Sequence, residues 1–394
     1  MERAGINFNV IDKSIAQRAV VIGGLFFARR LKIDFGDGVI GEDIKSAIRC
    51  IDDIKAGKKK LYAGNSATAM RLIVGAAVGL GLEIEIDGDK SLNNRCMAGL
   101  INALKSMNAK VFGREGGDGR ILPPIRVQKS EGLKGIEFFN EGLSAQLKSA
   151  VMLAGFNLDK RIKVVERIKT RDHTELMLDY FKEFGEHDNI NLKIPYDVSS
   201  AAFLIVLALL KKGRGVRLDN VGINPSRMGF IEVLKKAGFD ILIKDSGLFG
   251  LERVGSIYAK YSENTSLTPI IVEGDGAAAV IDEIVILCVA ASFIEGESCF
   301  RGLGALRNKE SDRVMGIYRM LKEFGVHVRM DGDDLKVVGS KFVKLKKKPV
   351  IQSKDHRIIM AAAVMGELLN GVDIVYPEYT KISYPNFFED IKRI

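Results

Sequence analysis

The sequence predicts an α/β (α+β) protein in which helices pack against small sheets, and three observations carry that prediction. Six times a polar, hydrogen-bonding start precedes a run of small and branched apolar residues at helix length. After each run comes a Gly- or charge-bearing turn and then a strand-like alternating segment. At 394 residues and 47% hydrophobic, the chain can bury sizeable cores and should divide into two or more units.

The six starts are Lys13-Ser14, Asn65-Ser66, Ser144-Ala145-Gln146, Ser199-Ser200, Asp282-Glu283 and Asp355-His356-Arg357. They lead into runs such as AVVIGGL, AMRLIVGAAVGL and AAFLIVLALL. Their spacing is irregular, roughly 50 to 85 residues, longer than in most solenoid repeats. Ser, Asn and Asp favour the N-cap, and a helix's first turn carries unpaired N–H groups with a partial positive charge. Six such starts around one cleft would make a site for anions.

The strand-like segments are LEIEI (82–86), GVRLDNV (215–221), CFRGL (299–303) and VDIVY (372–376). Between them, CMAGLINALKSMN, FIEVLKKAG and RVMGIYRMLKEFG place apolar residues three and four apart and end near glycine or asparagine, as amphipathic helices do. The turn-rich segment GREGGDGRILPPIRV (113–127) reads as a long hairpin connection. No low-complexity linker interrupts the chain, so its domains should be joined by short crossings and share a cleft.

Composition narrows the function classes. The longest apolar runs stop after ten or eleven residues, too short to span a bilayer, and MERAGINFNVIDKS lacks a signal peptide's apolar core. A cytoplasmic protein is expected. Cys50, Cys96, Cys288 and Cys299 show no CxxC spacing and read as free thiols, while His173, His187, His327 and His356 are too scattered for a metal motif. The net charge of +9 calls for anionic partners. Lys58-Lys59-Lys60 and the lysines between 344 and 348 read as solvated turns, without an aromatic RNA-binding signature beside them.

Chemistry concentrates at a few places. In LYAGNSATAMR (61–71), small residues would let a ligand approach backbone amides. Asp282-Glu283 and Asp355-His356-Arg357 stand before runs so apolar that the first helical turn must enter protein, where carboxylates are usually paired with cations or catalytic. The charged RNKESDR (307–313) precedes another helix.

Nine segments, in order, then resemble the motifs of the 5-enolpyruvylshikimate-3-phosphate synthase family. They are DKSIAQR (12–18), GNSATAMR (64–71), GDKSLNNR (88–95), SAQLKSA (144–150), TRDHTE (170–175), NPSRMG (224–229), IDE (281–283), NKESDR (308–313) and DHRI (355–358). SAQLKSA and TRDHTE are closest to the class II form. The resemblance implies a two-domain, inside-out barrel-like enolpyruvyl transferase fold of six βαβαββ units, three per domain. Residues 1–12 with 196–394 would form one domain and 13–195 the other, with the active site in the cleft between them.

The implied reaction transfers the enolpyruvyl group of phosphoenolpyruvate to the 5-hydroxyl of shikimate 3-phosphate and releases phosphate. No cofactor, metal, nucleic acid or membrane is called for, and a monomer is expected. Carried over by position, Lys13, Arg95 and Gln146 hold the phosphate of phosphoenolpyruvate near Ala67, and Arg313 and Arg357 grip its carboxylate. Ser14 and Arg18 meet the shikimate carboxylate; Ser144, Ala145 and Arg171 surround its phosphate; Gln146, Lys13 and Lys309 also contact shikimate 3-phosphate. Asp282 is the candidate base on the 5-hydroxyl, and Glu310 the proton donor to C3, with Lys13 as rival or partner. Ala67 stands where glyphosate-sensitive members have glycine, which implies tolerance of that inhibitor.

Departures from the family pattern are Val10-Ile11 in place of Pro-Gly, Tyr196 in place of glycine, and Cys96 in place of proline. Cys96 reads as a buried packing residue, and the C-terminal lysine of some members has only Lys381, one position out, to match it. Two other functions remain open. A UDP-N-acetylglucosamine enolpyruvyl transferase would need a lysine-asparagine pair at 13–14 and a loop cysteine several residues before the arginine. A basic RNA-binding βα-repeat protein would have no use for Asp282 and Glu310.

Overall fold

A computed structural model describes residues 7–27, 31–142, 144–158, 162–184, 189–263, 266–307 and 309–394. His187 and Asn308, the first residue of NKESDR, lie outside the described residues. The chain divides into two compact units: Asp12–Gly36 with Ile40–Ile194, and Pro195–Ile394 with Asp37–Val39 and the N-terminal residues up to Ile11. The return of Asp37–Val39 was not foreseen from sequence. It follows from backbone pairing, since Val39 forms a parallel bridge with Val10.

Each of the six polar starts opens a helix. In the unit built mainly from 12–194 these are Lys13–Phe26, Ala67–Leu80 and Ala145–Ala154. Asp12, Ser66 and Ser144 cap them by accepting from first-turn amides. The helix Ala67–Leu80 packs against both others. A Cβ at Gly75 or Gly79 would lie 2.3 Å from Ala150 O or 2.5 Å from Leu153 O, so glycine there permits backbone contact with Ala145–Ala154.

Around these helices the order β-α-β-α-β-β is complete between residues 60 and 128. Strands Lys60–Tyr62 and Ile84–Asp87 pair in parallel, and Ile121–Gln128 then lies antiparallel between Ile84–Asp87 and Lys110–Glu115. The segment read as a long hairpin connection is thus largely two strands. Pro123 and Pro124 are tolerated in a central strand because the pairing register skips them beside a bulge at Phe112/Arg114. A shorter version runs from Glu137–Phe139 to His173–Lys182, after which Ile190–Lys193 pairs in parallel with Leu31–Asp34.

The other unit repeats the scheme. Its three helices, Val198–Leu210, Ile284–Ser292 and His356–Leu368, pack on one another. Every residue of Ile284–Ser292 is buried, as a helix apolar on all faces must be. Asp197 and Asp355 cap two of them, whereas Glu283 stands at the third start without a side-chain cap. Strands Ile271–Val272, Gly296–Phe300, Asp334–Gly339 and His327–Asp331 reproduce the parallel-then-antiparallel order of the 60–128 sheet. The strand expected at 299–303 ends at Phe300, because Gly302 adopts φ 70° and Leu303 begins a 3-10 turn. The C-terminal version has only Val350–Ile351 and Asp373–Ile374, and the turn Pro377–Ile382 packs on its helix.

The departures Ile11 and Tyr196 face each other as an antiparallel bridge, and the Tyr196 hydroxyl donates to Asp37 at 2.7 Å. Cys96 is exposed, against expectation; its neighbour Met97, 1% exposed, takes the inward position before the helix Ala98–Ser106. Cys50 and Cys288 are buried free thiols, and burial pushes Cys50 up to about 12. Among the described residues no helix is long and apolar enough to cross a membrane.

Candidate active site

In the 12–194 unit, hydrogen bonds tie the first two turns of the three central helices into a closed triangle. Ser66 Oγ donates to Gln17 Oε1 at 2.7 Å, joining Ala67–Leu80 to Lys13–Phe26. Gln146 Nε2 donates to Thr68 Oγ1 at 2.8 Å, and Arg71 donates to Gln146 Oε1, joining Ala145–Ala154 to Ala67–Leu80. Arg18 closes the figure by donating to Ser149 Oγ at 3.1 Å, Thr174 Oγ1 at 2.8 Å and Ser14 Oγ at 2.9 Å. Only 1% of Arg18 is exposed, so its fork is fixed by packing.

Lys13 heads its helix and pairs with Asp43 at 2.8 Å, its side chain 20% exposed. Ala67 is buried at the first position of its own helix. Arg95 donates to Asn65 Oδ1 at 2.8 Å while Asn65 Nδ2 donates to Asp89 at 2.8 Å, which anchors Arg95 to the segment capping Ala67–Leu80. Ser144 accepts from Leu147 N and donates its own N–H to Asn140 Oδ1 at 3.0 Å. Arg171 lies half-buried just before the helix His173–Lys182, whose Thr174 holds Arg18. The candidate residues Lys13, Ser14, Arg18, Ala67, Arg95, Ser144, Ala145 and Gln146 thus all sit at, or are anchored to, helix starts.

A second constellation lies in the other unit. Asp282 Oδ1 stands 3.6 Å from Arg313, 3.8 Å from Arg357 and 3.9 Å from Lys309, while its backbone carbonyl accepts from Arg357 at 2.6 Å. Arg313 donates through Nε to Asp355 at 2.8 Å and through Nη2 to Glu310. Burial opposes its charge, but Asp355, Glu310 and Asp282 hold the guanidinium above the ordinary arginine value. The residues read from sequence, Asp282, Lys309, Glu310, Arg313 and Arg357, are brought together here.

Behind this group, Arg227 donates to Asp197 at 3.0 Å and Ser199 Oγ at 2.7 Å, and Ser199 donates to the buried Glu283. The sequence marks Asn65 and Asp355 as helix starts and expects a cation partner or catalysis for Asp355, which pairs with Arg313; the anchors Thr68, Arg71, Asp89, Ser149, Thr174 and Arg227 lie inside quoted motifs without a role assigned to them. Asp43 lies in none, and its only signal is a carboxylate in the first turn of Glu42–Lys55. Lys381 is exposed, and among the described residues its side chain makes no hydrogen bond or ion pair with these groups.

Two clusters of arginine and lysine with carboxylates set among them suit the binding of polyanions and proton transfer. The family profile for EPSP synthase (3-phosphoshikimate 1-carboxyvinyltransferase) matches residues 29–391. A 3-phosphoshikimate 1-carboxyvinyltransferase of Pelotomaculum thermopropionicum is 36% identical, over 97% of this chain and 94% of its own. That of Caldicellulosiruptor bescii is 35% identical over 98% and 96%. The EPSP synthase of Acinetobacter baumannii superposes with a TM-score of 0.79 at 30% identity, covering 98% of this chain and 94% of that one. The enolpyruvyl transferase NikO of Streptomyces tendae gives 0.72 at 11% identity over 98% and 93%, a likeness of fold. The chain belongs to the EPSP synthase family of 3-phosphoshikimate 1-carboxyvinyltransferases.

Proposed function

We propose that the protein transfers the enolpyruvyl group of phosphoenolpyruvate to the 5-hydroxyl of shikimate 3-phosphate, with both constellations contributing side chains to the ligands. The observation that supports this most is Asp282, a carboxylate within 4 Å of three cations that a planar carboxylate substrate could share. Arg313 and Arg357 bind the carboxylate of phosphoenolpyruvate; Lys13, Arg95 and Gln146 bind its phosphate. Ser14 and Arg18 take the shikimate carboxylate, Ser144, Ala145 and Arg171 its phosphate, and Lys309 and Gln146 also contact shikimate 3-phosphate.

Chemically, C3 of phosphoenolpyruvate gains a proton, the 5-hydroxyl loses its proton to Asp282 and attacks C2, and the tetrahedral adduct expels phosphate while C3 gives a proton back. Cations on the phosphate favour the negative charge that builds on the leaving group, while those on the carboxylate hold C2 in place for the hydroxyl. Glu310 is ion-paired with Arg313. An incoming substrate carboxylate competes for that guanidinium, and Glu310, freed from its counter-charge, takes up a proton from solvent that it can give to C3, with Lys13 as the other candidate donor. Ala67 presents a methyl where glyphosate needs space, so the enzyme tolerates that inhibitor.

Addition and elimination pass through a methyl group at C3. Turnover in D2O should therefore give a product heavier than shikimate 3-phosphate by one enolpyruvyl group and carrying deuterium in its vinyl hydrogens. A product without vinyl deuterium after many turnovers would contradict the mechanism, and no mass increase would contradict the function.

A further inference from the structure

Lys148 has only 1% of its side chain exposed, on the helix Ala145–Ala154, and its ammonium meets two carboxylates: Glu166 at 3.0 Å and Glu175 at 2.5 Å. A buried ion pair is poor value as a stabiliser, since an apolar residue of similar size often serves as well, so its geometry invites another explanation. Each partner leads to a different segment of the same unit. Glu166 Oε1 accepts from Asn140 Nδ2 and from Thr170 Oγ1, both at 2.6 Å. Asn140 in turn accepts from the Ser144 amide at 3.0 Å, and Thr170 is the residue before Arg171. Glu175 follows Thr174, whose hydroxyl accepts from Arg18 Nε at 2.8 Å.

We propose that Lys148, Glu166 and Glu175 form a positioning network that sets the shikimate 3-phosphate subsite, fixing Ser144, Ala145, Arg171 and Arg18 relative to one another. None of the three touches the ligand; each acts through a neighbour. The network holds a loop (166–171) and two helix starts in one register, which is what a rigid phosphate and carboxylate on one small ring require. Desolvation would raise the Glu166 carboxyl, but hydrogen bonds from Thr170, Asn140 and Lys148 hold it below the ordinary glutamate range, as an ionised hub needs.

This inference rests on the proposed placement of shikimate 3-phosphate, and the test separates the two. KM for each substrate and kcat are measured for Lys148→Met, Lys148→Arg and Thr170→Val, with Arg171→Ala as the reference. Lys148→Met and Thr170→Val should raise KM for shikimate 3-phosphate about tenfold, the worth of one charge-assisted hydrogen bond, with kcat and KM for phosphoenolpyruvate within about threefold. Lys148→Arg, which keeps the charge, should recover part of the loss. A KM for shikimate 3-phosphate within twofold of the parent, both KM values rising together, or Arg no better than Met would overturn the network. Thr170→Val, which leaves the lysine paired, decides the matter if Lys148→Met does not fold. If Arg171→Ala leaves that KM unchanged, the placement of the ligand falls and this inference with it; an Arg171→Ala effect without a network effect sinks the inference alone.

Discussion

Asp282→Asn separates a catalytic role for this carboxylate from an electrostatic one, because the two move different kinetic constants. The side chain is 15% exposed and its Oδ1 lies 3.6 to 3.9 Å from Arg313, Arg357 and Lys309. At 3.8 Å and an effective dielectric of about 20, one such pair is worth about 4 kcal/mol gross. Removing the charge leaves these cations more available to the carboxylate of phosphoenolpyruvate, so KM for that substrate should hold or fall. Asparagine retains the backbone carbonyl that accepts from Arg357, and Arg313 keeps Asp355 and Glu310, so the constellation should persist. Loss of a general base costs 10² to 10⁴ in rate, about 3 to 5 kcal/mol on the barrier, so kcat should fall at least a hundredfold. Steady-state kinetics with both substrates, on a variant with the parent's circular dichroism, reads both constants. A kcat within tenfold of the parent would refute the base assignment, and a raised KM for phosphoenolpyruvate with unchanged kcat would make Asp282 a binding residue.

Ala67→Gly should make the enzyme sensitive to glyphosate, read as a fall in inhibition constant while KM for phosphoenolpyruvate stays within a few-fold; a parent enzyme inhibited near that KM would contradict the argument from Ala67. Gly75→Ala puts a Cβ 2.3 Å from Ala150 O, and the overpacking should outweigh the gain in helix propensity, lowering stability by about 1–3 kcal/mol in urea unfolding. A stabilised variant would show that the two helices can separate at no cost. Glu166 has a folded pKa below its unfolded one, so its contribution to stability is present above the ordinary glutamate value and is lost as pH falls through the folded value. Glu166→Gln should therefore flatten the acid limb of stability between pH 5 and the folded pKa relative to the parent, and parallel limbs would show that the hydrogen bonds do not act on the carboxylate.

The helical starts were legible because a polar residue before a long apolar run has one cheap arrangement, a capped helix entering a core. Ser66, Ser144 and Asp355 do this, while the caps at the starts read as Lys13 and Ser199 are Asp12 and Asp197, one and two residues earlier. Strand limits were less legible: CFRGL alternates well enough, but the turn at Gly302 depends on a backbone conformation that periodicity does not register. Cys96 and Met97 are both apolar enough for a core, and only the turn before Ala98–Ser106 decides which faces inward. The residues expected to hold substrate carried a motif signature, whereas their anchors could not be ranked from sequence. Asp43 reaches Lys13 across 30 positions of chain, a contact that no local pattern announces.

The central claim is tested most directly by phosphate release from phosphoenolpyruvate with and without shikimate 3-phosphate. Release that requires the second substrate, at a rate typical of enzymes, about 1 to 10³ per second, is the expected result. Equal release in its absence, or none in its presence from a folded protein, would contradict the proposed reaction.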